Sequence, residues 1–165
     1  MIFDSQSLTT QTKTLILGVG NIFRGDDGVG PNVIKLLKDK YLTSLKNSDL
    51  LDGGIDGLAL LDVIPEYSDV IIIDAVRMDM SPGTVKVFTP SEAEILIHSD
   101  SLSTHGFGLA EIIALMRTLK IETRVQIIGV QPQDIEFGEN LSSVVYSKLE
   151  SLAHLIIEMV SAFPS

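Results

Sequence analysis

The chain alternates between short apolar runs and longer stretches in which apolar residues recur at helical spacing. Short, continuous runs rich in β-branched residues are typical of strands buried on both faces of a parallel sheet. The strongest of them is Val-Ile-Ile-Ile-Asp at Val70–Asp74. The predicted strands of this kind are Thr14–Leu17, Asp49–Asp52, Val70–Asp74 and Arg124–Val130.

The segments between these runs have the three-to-four-residue spacing of amphipathic helices. The first helix is predicted to begin near Gly28–Pro31, where a proline is tolerated in the first turn, and to end near Tyr41. Further helices are predicted at Leu58–Ile64, Ser91–Ile97, Leu109–Leu119 and Leu141–Phe163.

A different pattern appears at Thr84–Phe88, where polar and apolar residues alternate. This alternation predicts an antiparallel edge strand with one solvated face. Together the elements predict an α/β fold, a three-layer sandwich with a twisted, mostly parallel five-stranded sheet and helices on both faces. Residues 13–163 are predicted to form one domain, preceded by a flexible polar tail at Met1–Thr12.

Composition narrows the class of protein. The 165 residues carry a formal net charge of −10, which argues against binding to nucleic acid or to an anionic membrane surface. Because the chain has no cysteine, disulfides, thiolate metal sites and a cysteine nucleophile are excluded. The first residues lack the features of a secretory signal, so we expect a cytoplasmic protein. We also expect it to be a monomer or a weak oligomer.

A glycine-rich stretch follows the first predicted strand and departs from two nucleotide-binding motifs. Gly18 and Gly20 fit a dinucleotide fingerprint, but Phe23 stands where the third glycine belongs. Gly20 and Gly25 have the spacing of a phosphate-binding loop, but Asp26–Asp27 replaces its lysine and hydroxyl residue. Because two carboxylates repel a phosphate, the loop predicts a site for a cation or a proton.

Three chemically distinctive residues follow predicted elements or lie between them. Asp27 follows the first strand, Asp74 ends the third, and His105 lies in a glycine-bracketed loop before a helix. Neighbouring parallel strands place their carboxyl ends at one crevice, so Asp27 and Asp74 are expected to meet there. Two carboxylates and an imidazole suit zinc, nickel, manganese or iron, without selecting one of them.

Each of these residues also has a purely structural interpretation. One of Asp26 and Asp27 would be a helix N-cap and the other a solvated neighbour. Asp74 would be a turn residue, and His105 would cap the helix that follows it. Local sequence leaves both interpretations open.

Several stretches, taken together and in order, resemble the nickel-iron hydrogenase maturation proteases. The resemblance runs roughly from Thr14 to Val160, and it is specific as a set although any single block is weak. The matching blocks are Gly18–Asn21, Gly25–Gly30, Leu51–Gly54, Ile72–Ala75, Ser103–Ala110, Ile128–Pro132 and Leu141–Leu149.

This resemblance implies an endopeptidase that removes a carboxyl-terminal extension from the hydrogenase large-subunit precursor after nickel insertion. By motif, the family's metal-contacting residues fall on Asp27, Asp74 and His105, while Asp26 is expected to be a neighbour and not a ligand. Nickel is expected to arrive in the substrate, with no organic cofactor. The glycine loop that begins with Gly53 and Gly54 is predicted to bind the extended peptide, supported by Asp52.

Two other functions remain possible at this point. One is a nickel-sensing chaperone of the same fold that binds the precursor without cutting it. The other is a Rossmann-like nucleotide-binding domain, which the departures at Phe23 and Asp26–Asp27 disfavour. For the protease, the attacking water would be activated either by the nickel or by one of the carboxylates.

Overall fold

The apolar runs of the sequence form parallel strands in the computed structural model, which describes residues 13–97 and 108–164. His105 and the predicted tail Met1–Thr12 lie outside the described residues. The strands are β1 (Thr14–Val19), β2 (Ser48–Gly54), β3 (Asp69–Ala75), β4 (Val85–Phe88) and β5 (Arg124–Val130). The helices are α1 (Val29–Lys40), α2 (Gly57–Val63), α3 (Pro90–Ile97), α4 (Leu109–Thr118), α5 (Ser143–Tyr146) and α6 (Leu149–Ala162). Single 3-10 turns occur at Gly25–Gly28, Leu42–Ser44 and Ile64–Glu66.

The five strands form one sheet in the order β2-β1-β3-β5-β4. β1 pairs in parallel with both β2 and β3, β3 pairs in parallel with β5, and β4 is antiparallel to β5. The predicted mixed sheet with an antiparallel edge strand is confirmed, as is the predicted adjacency of the first and third strands. We call the side where the parallel strands end the carboxyl edge and the opposite side the amino edge.

Helices cover both faces of the sheet, which explains the unbroken apolar runs. On β3, Val70 and Ile72 pack in the cluster that includes residues of α2 and α4. The alternate residues Ile71 and Ile73 pack in the cluster that includes residues of α1 and α6. Since both faces are buried, every position of the strand centre must be apolar and the period-two alternation disappears.

The last predicted helix is divided in the structure. The sequence predicts one helix over Leu141–Phe163, and this prediction is wrong around Ser147, where α5 ends before α6 begins at Leu149. The Ser147 hydroxyl donates to the carbonyl of Val144 at 2.7 Å, and such side-chain bonds compete with regular helical bonding. In the described ranges 13–97 and 108–164, none of the helices could span a lipid bilayer.

Candidate active site at the carboxyl edge of the sheet

Close backbone packing brings the start of α1 against the ends of β1 and β3. A Cβ atom added at Gly30 would lie 2.5 Å from the carbonyl oxygen of Val19 and 2.6 Å from that of Ile73. A Cβ atom at Gly18 would lie 2.5 Å from the carbonyl oxygen of Gly30. Only glycine permits this approach, and it places the turn before α1 beside the last residues of β3.

The turn between β1 and α1 has a fixed shape that orients Asp27. Gly20 has φ +136°, and a Cβ atom there would lie 1.9 Å from the carbonyl oxygen of Asp27. The backbone N–H of Asn21 donates to Oδ2 of Asp27 at 2.9 Å. The Asp27 side chain is therefore bonded to the backbone of its own loop, and it is only half-buried.

Asp27 and Asp74 form an interacting pair of carboxyl groups. Burial raises the pKa of Asp27, against smaller opposite effects from the Asn21 N–H and the Arg24 charge. Burial, followed by the charge of Asp27, raises the pKa of Asp74 well above its ordinary value. Two such carboxyl groups share a proton or bind a cation more readily than they carry two negative charges. No third His, Cys, Asp or Glu completes a metal-binding group among the residues that the structure describes.

The helix that follows His105 in the sequence is α4, and contacts just after its C-terminal end indicate where it ends in the fold. After α4, the hydroxyl of Thr123 donates to the carbonyls of Ile64 and Tyr67 at 3.2 and 3.1 Å, and both residues precede β3. The segment after α4 therefore lies at the amino edge, where β5 begins. Since α4 leads into β5, the helix runs from Gly108 toward that edge.

Asp26 has a structural role that the sequence did not reveal. As a helix cap or a solvated residue it was predicted wrongly, since its exposed fraction is 0% and the N-cap position of α1 is Gly28. That it is a neighbour of the site and not a ligand stays a prediction. Its carboxylate accepts hydrogen bonds from the backbone of Gln133 and Asp134, and from both the backbone and the hydroxyl of Ser142. These partners are more than 100 residues away, so no local pattern indicates them.

The predicted substrate loop divides into three different environments. Asp52 is exposed, and its Oδ1 accepts a bond from the N–H of Gly54 at 3.0 Å. Gly53 packs inward, since a Cβ atom there would lie 2.9 Å from Cδ1 of Leu17. At Gly54, which has φ +53°, an added Cβ atom would meet nothing within 4 Å. Gly54 also accepts a bond from the N–H of Gly20 at 2.9 Å, so this loop lies beside the turn that carries Asp27.

Comparison with known proteins identifies the family. The model of the HycI hydrogenase maturation proteases matches residues 31–159, a range that includes Asp74 and His105 and begins just after Asp27. The chain belongs to the hydrogenase maturation protease family. It is therefore an endopeptidase of hydrogenase maturation, and the chaperone and nucleotide-binding alternatives are not supported.

Individual members of the family support the same assignment over most of their length. The chain is 30% identical over 154 residues to the hydrogenase expression/formation protein HoxM of Azotobacter vinelandii, covering 92% of this chain and 74% of that one. It is 30% identical over 140 residues to the hydrogenase 2 maturation protease of Escherichia coli strain K12, covering 84% of each.

Solved structures of maturation proteases share the fold. The hydrogenase maturating endopeptidase HybD from Escherichia coli superimposes with a TM-score of 0.76 at 25% identity, covering 90% of this chain and 92% of that one. The [NiFe] hydrogenase maturation protease HycI from Thermococcus kodakarensis KOD1 gives a TM-score of 0.72 at 27% identity, covering 91% and 93%. The five-stranded sheet described above is thus the fold of this protease family.

Proposed function

We propose that this protease removes a carboxyl-terminal extension from the large-subunit precursor of a nickel-iron hydrogenase, and that it acts on the nickel-loaded precursor. Asp27, Asp74 and His105 bind the nickel that the precursor carries. The protease then needs no resident metal and no organic cofactor. A cytoplasmic location and a monomeric or weakly oligomeric state remain predictions.

The observation that carries this proposal is the pair of carboxyl groups at the carboxyl edge. The pKa of Asp27 and that of Asp74 are both raised, and the charge of Asp27 contributes to the shift at Asp74. The charge of Asp27 thus makes ionisation of Asp74 less favourable, and a cation between the two groups removes that repulsion. A precursor that brings nickel gains this interaction and an empty precursor does not, which gives a difference in affinity between the two.

Exposed apolar side chains around the pair favour a protein substrate. Phe23 is 56% exposed and Phe137 is 82% exposed. They belong to loops that are bonded to each other, because the N–H of Gly138 donates to the carbonyl of Phe23 at 2.9 Å. On the other side of the Asp27 turn, Ile55 is 60% exposed next to the open space in front of Gly54. We propose that the precursor lies across this surface, which we call the apolar rim.

The direct test is trimming of a purified large-subunit precursor, prepared with and without nickel and analysed by mass spectrometry. We expect the wild-type protease to shorten only the nickel-loaded form. Asp27→Asn, Asp74→Asn and His105→Ala are expected to lose this activity while staying folded. Asp69→Asn is the control, since it removes a buried aspartate at the amino edge. Equal trimming of loaded and empty precursor, or wild-type rates in all three variants, would contradict the proposal.

The apolar rim has a separate test. Phe137→Ser is expected to raise KM for the precursor about tenfold, since a buried aromatic contact is worth more than about 1 kcal/mol at an interface. Leu42→Ser is the matched control, because Leu42 is 57% exposed and lies at the amino edge. A KM that is the same in both variants would show that the precursor binds elsewhere.

A further inference from the structure

Asp26 is a fully buried carboxylate whose partners are all neutral donors. Oδ2 accepts bonds from the N–H groups of Gln133 at 2.8 Å and Asp134 at 3.1 Å, and from the hydroxyl of Ser142 at 2.8 Å. Oδ1 accepts a bond from the N–H of Ser142 at 2.7 Å. A carboxylate has about four acceptor positions, so these four donors leave little capacity for a metal or a substrate.

The backbone around Asp26 is bonded to the same distant loop. The N–H of Asp26 donates to the carbonyl of Asp134 at 2.8 Å, and that of Gly25 donates to the carbonyl of Gly138 at 2.9 Å. The side chain and the main chain of Asp26 are therefore both fixed by the segment between β5 and α5. Asp27 is the next residue in the chain, so its Cα position and the direction of its side chain depend on this attachment.

Asp26 and Asp27 consequently have different chemical capacities although they are adjacent and identical in type. The Asp27 side chain accepts a bond from the N–H of Asn21, and Asp27 is half-buried beside Asp74. Asp26 is enclosed, and its oxygens are all directed at the β5–α5 segment. One acid is placed to meet a ligand, and the other is placed to hold the turn.

We propose that Asp26 is a positioning residue, which attaches the β5–α5 segment to the turn between β1 and α1 and thereby holds the Asp27 carboxylate next to Asp74. This inference rests on the proposed role of Asp27. Its consequence is that the rate of the chemical step depends on a residue that touches neither nickel nor peptide. Displacement of a reacting group by about 1 Å costs up to roughly a hundredfold in rate, so loss of the attachment acts on kcat.

The variant that tests this is Asp26→Asn, which keeps the size of the side chain. An amide directs its NH2 group at one set of N–H donors whichever way it is oriented, so part of the attachment is lost. Its matched control is Asp69→Asn, because Asp69 is 1% exposed, hydrogen-bonded, and at the amino edge. Both substitutions remove a buried carboxylate, but only the first lies beside Asp27.

The measurement is kcat and KM for trimming of nickel-loaded precursor, per folded molecule. We expect Asp26→Asn to lower kcat at least tenfold with KM within about twofold, and Asp69→Asn to leave both unchanged. The inference is overturned if Asp26→Asn keeps the wild-type kcat, or if both variants lower kcat equally. If Asp26→Asn does not fold, Ser142→Ala decides, since it removes one donor. A lower kcat supports the inference and an unchanged kcat overturns it.

Asp27→Asn, assayed in parallel, separates the two proposals. If Asp27→Asn is inactive while Asp26→Asn is fully active, only the positioning role is wrong. If Asp27→Asn itself retains the wild-type kcat, the proposed function of the carboxyl pair is wrong, and the role of Asp26 is wrong with it.

Discussion

The strand β3 has an aspartate at each end of its apolar run, and the two have opposite surroundings. At the amino edge, Asp69 is buried but forms an ion pair with Arg124 and accepts a bond from the Ser68 hydroxyl. At the carboxyl edge, Asp74 faces another acid, Asp27, and its pKa is raised well above its ordinary value. One strand therefore has a carboxylate paired with a cation at its start and a carboxyl group that faces another acid at its end.

This difference indicates which edge serves stability and which serves function. At the amino edge, Asp49 also has a partner on each side, since it is bonded to Lys13 and Tyr67 and its pKa is lowered. Pairs of this kind hold the strand beginnings together. At the carboxyl edge, the repulsion between Asp27 and Asp74 lowers the stability of the free protein. Such a loss of stability is common at functional sites, and here a bound cation would remove it.

The largest expected effect comes from Asp74→Asn, which should change activity and stability in opposite directions. Trimming is expected to fall about a thousandfold, the upper range for loss of one preorganised polar group that stabilises a transition state. Since the pKa of Asp74 is raised in the fold, its ionisation costs stability as pH rises through the folded pKa. At neutral pH the variant is expected to gain a few degrees in Tm, measured by calorimetry.

The gain in Tm that is expected for Asp74→Asn depends on pH. Below the ordinary pKa of 3.8, Asp74 is protonated in both the folded and the unfolded chain, so the variant and wild type are expected to have similar Tm values. The gain appears only as pH rises above that value. A variant that is less stable than wild type at neutral pH would show that the Asp74 charge is satisfied in the fold.

Gly30→Ala is the next largest expected effect, and it tests whether the carboxyl edge depends on close packing. The added Cβ would lie 2.5 and 2.6 Å from two backbone carbonyl oxygens, which cannot move independently of β1 and β3. We expect a loss of about 3 kcal/mol in the free energy of unfolding by urea titration. Gly54→Ala is the control, because its Cβ would meet nothing within 4 Å and only the cost of its φ of +53° remains, about 1 kcal/mol. Similar losses in both would show that α1 does not need its close approach.

How much of the fold and of the candidate site could be predicted from the sequence depends on how far apart the interacting residues lie along the chain. The strand Val70–Asp74 and its position beside β1 follow from apolar run length and from the alternation of strands and helices, which are local signals. The placement of Asp27 opposite Asp74 follows from that topology. The burial of Asp26 does not, because its partners at Gln133, Asp134 and Ser142 are irregular loop backbone whose course no periodicity describes.

The break after α5 was missed for a related reason. The apolar stripe from Val145 to Val160 is compatible with one continuous helix, and its period does not change at the break. A single serine side chain that bonds back to the carbonyl of Val144 accompanies the interruption, and serine in a helical pattern does not by itself predict one. Periodicity thus predicts which face is buried better than it predicts where an element ends.

Asp69→Asn is expected to have an effect on stability alone. It removes the negative partner of Arg124 from a position that is 1% exposed, and it weakens the bond from the Ser68 hydroxyl. Because Arg124 remains half in solvent, we expect a loss of about 2 kcal/mol and not the larger cost of a fully buried pair. Trimming per folded molecule should equal that of wild type. Loss of activity here would break the comparison, since it would place function at both edges.

The smallest expected effect is that of Asp49→Asn, and its sign is opposite to that of Asp74→Asn. The bonds from Lys13 and Tyr67 lower the pKa of Asp49, so its contribution to stability is present above its ordinary pKa of 3.8 and is lost as pH falls through the folded pKa. The pair is largely exposed, so the variant should lose less than about 1 kcal/mol at neutral pH. In urea titrations, the free energy of unfolding of Asp49→Asn should lie below that of wild type at neutral pH, and that of Asp74→Asn should lie above it. Both differences should disappear in acid. If the two variants differ from wild type in the same direction, the two edges do not differ in electrostatic character.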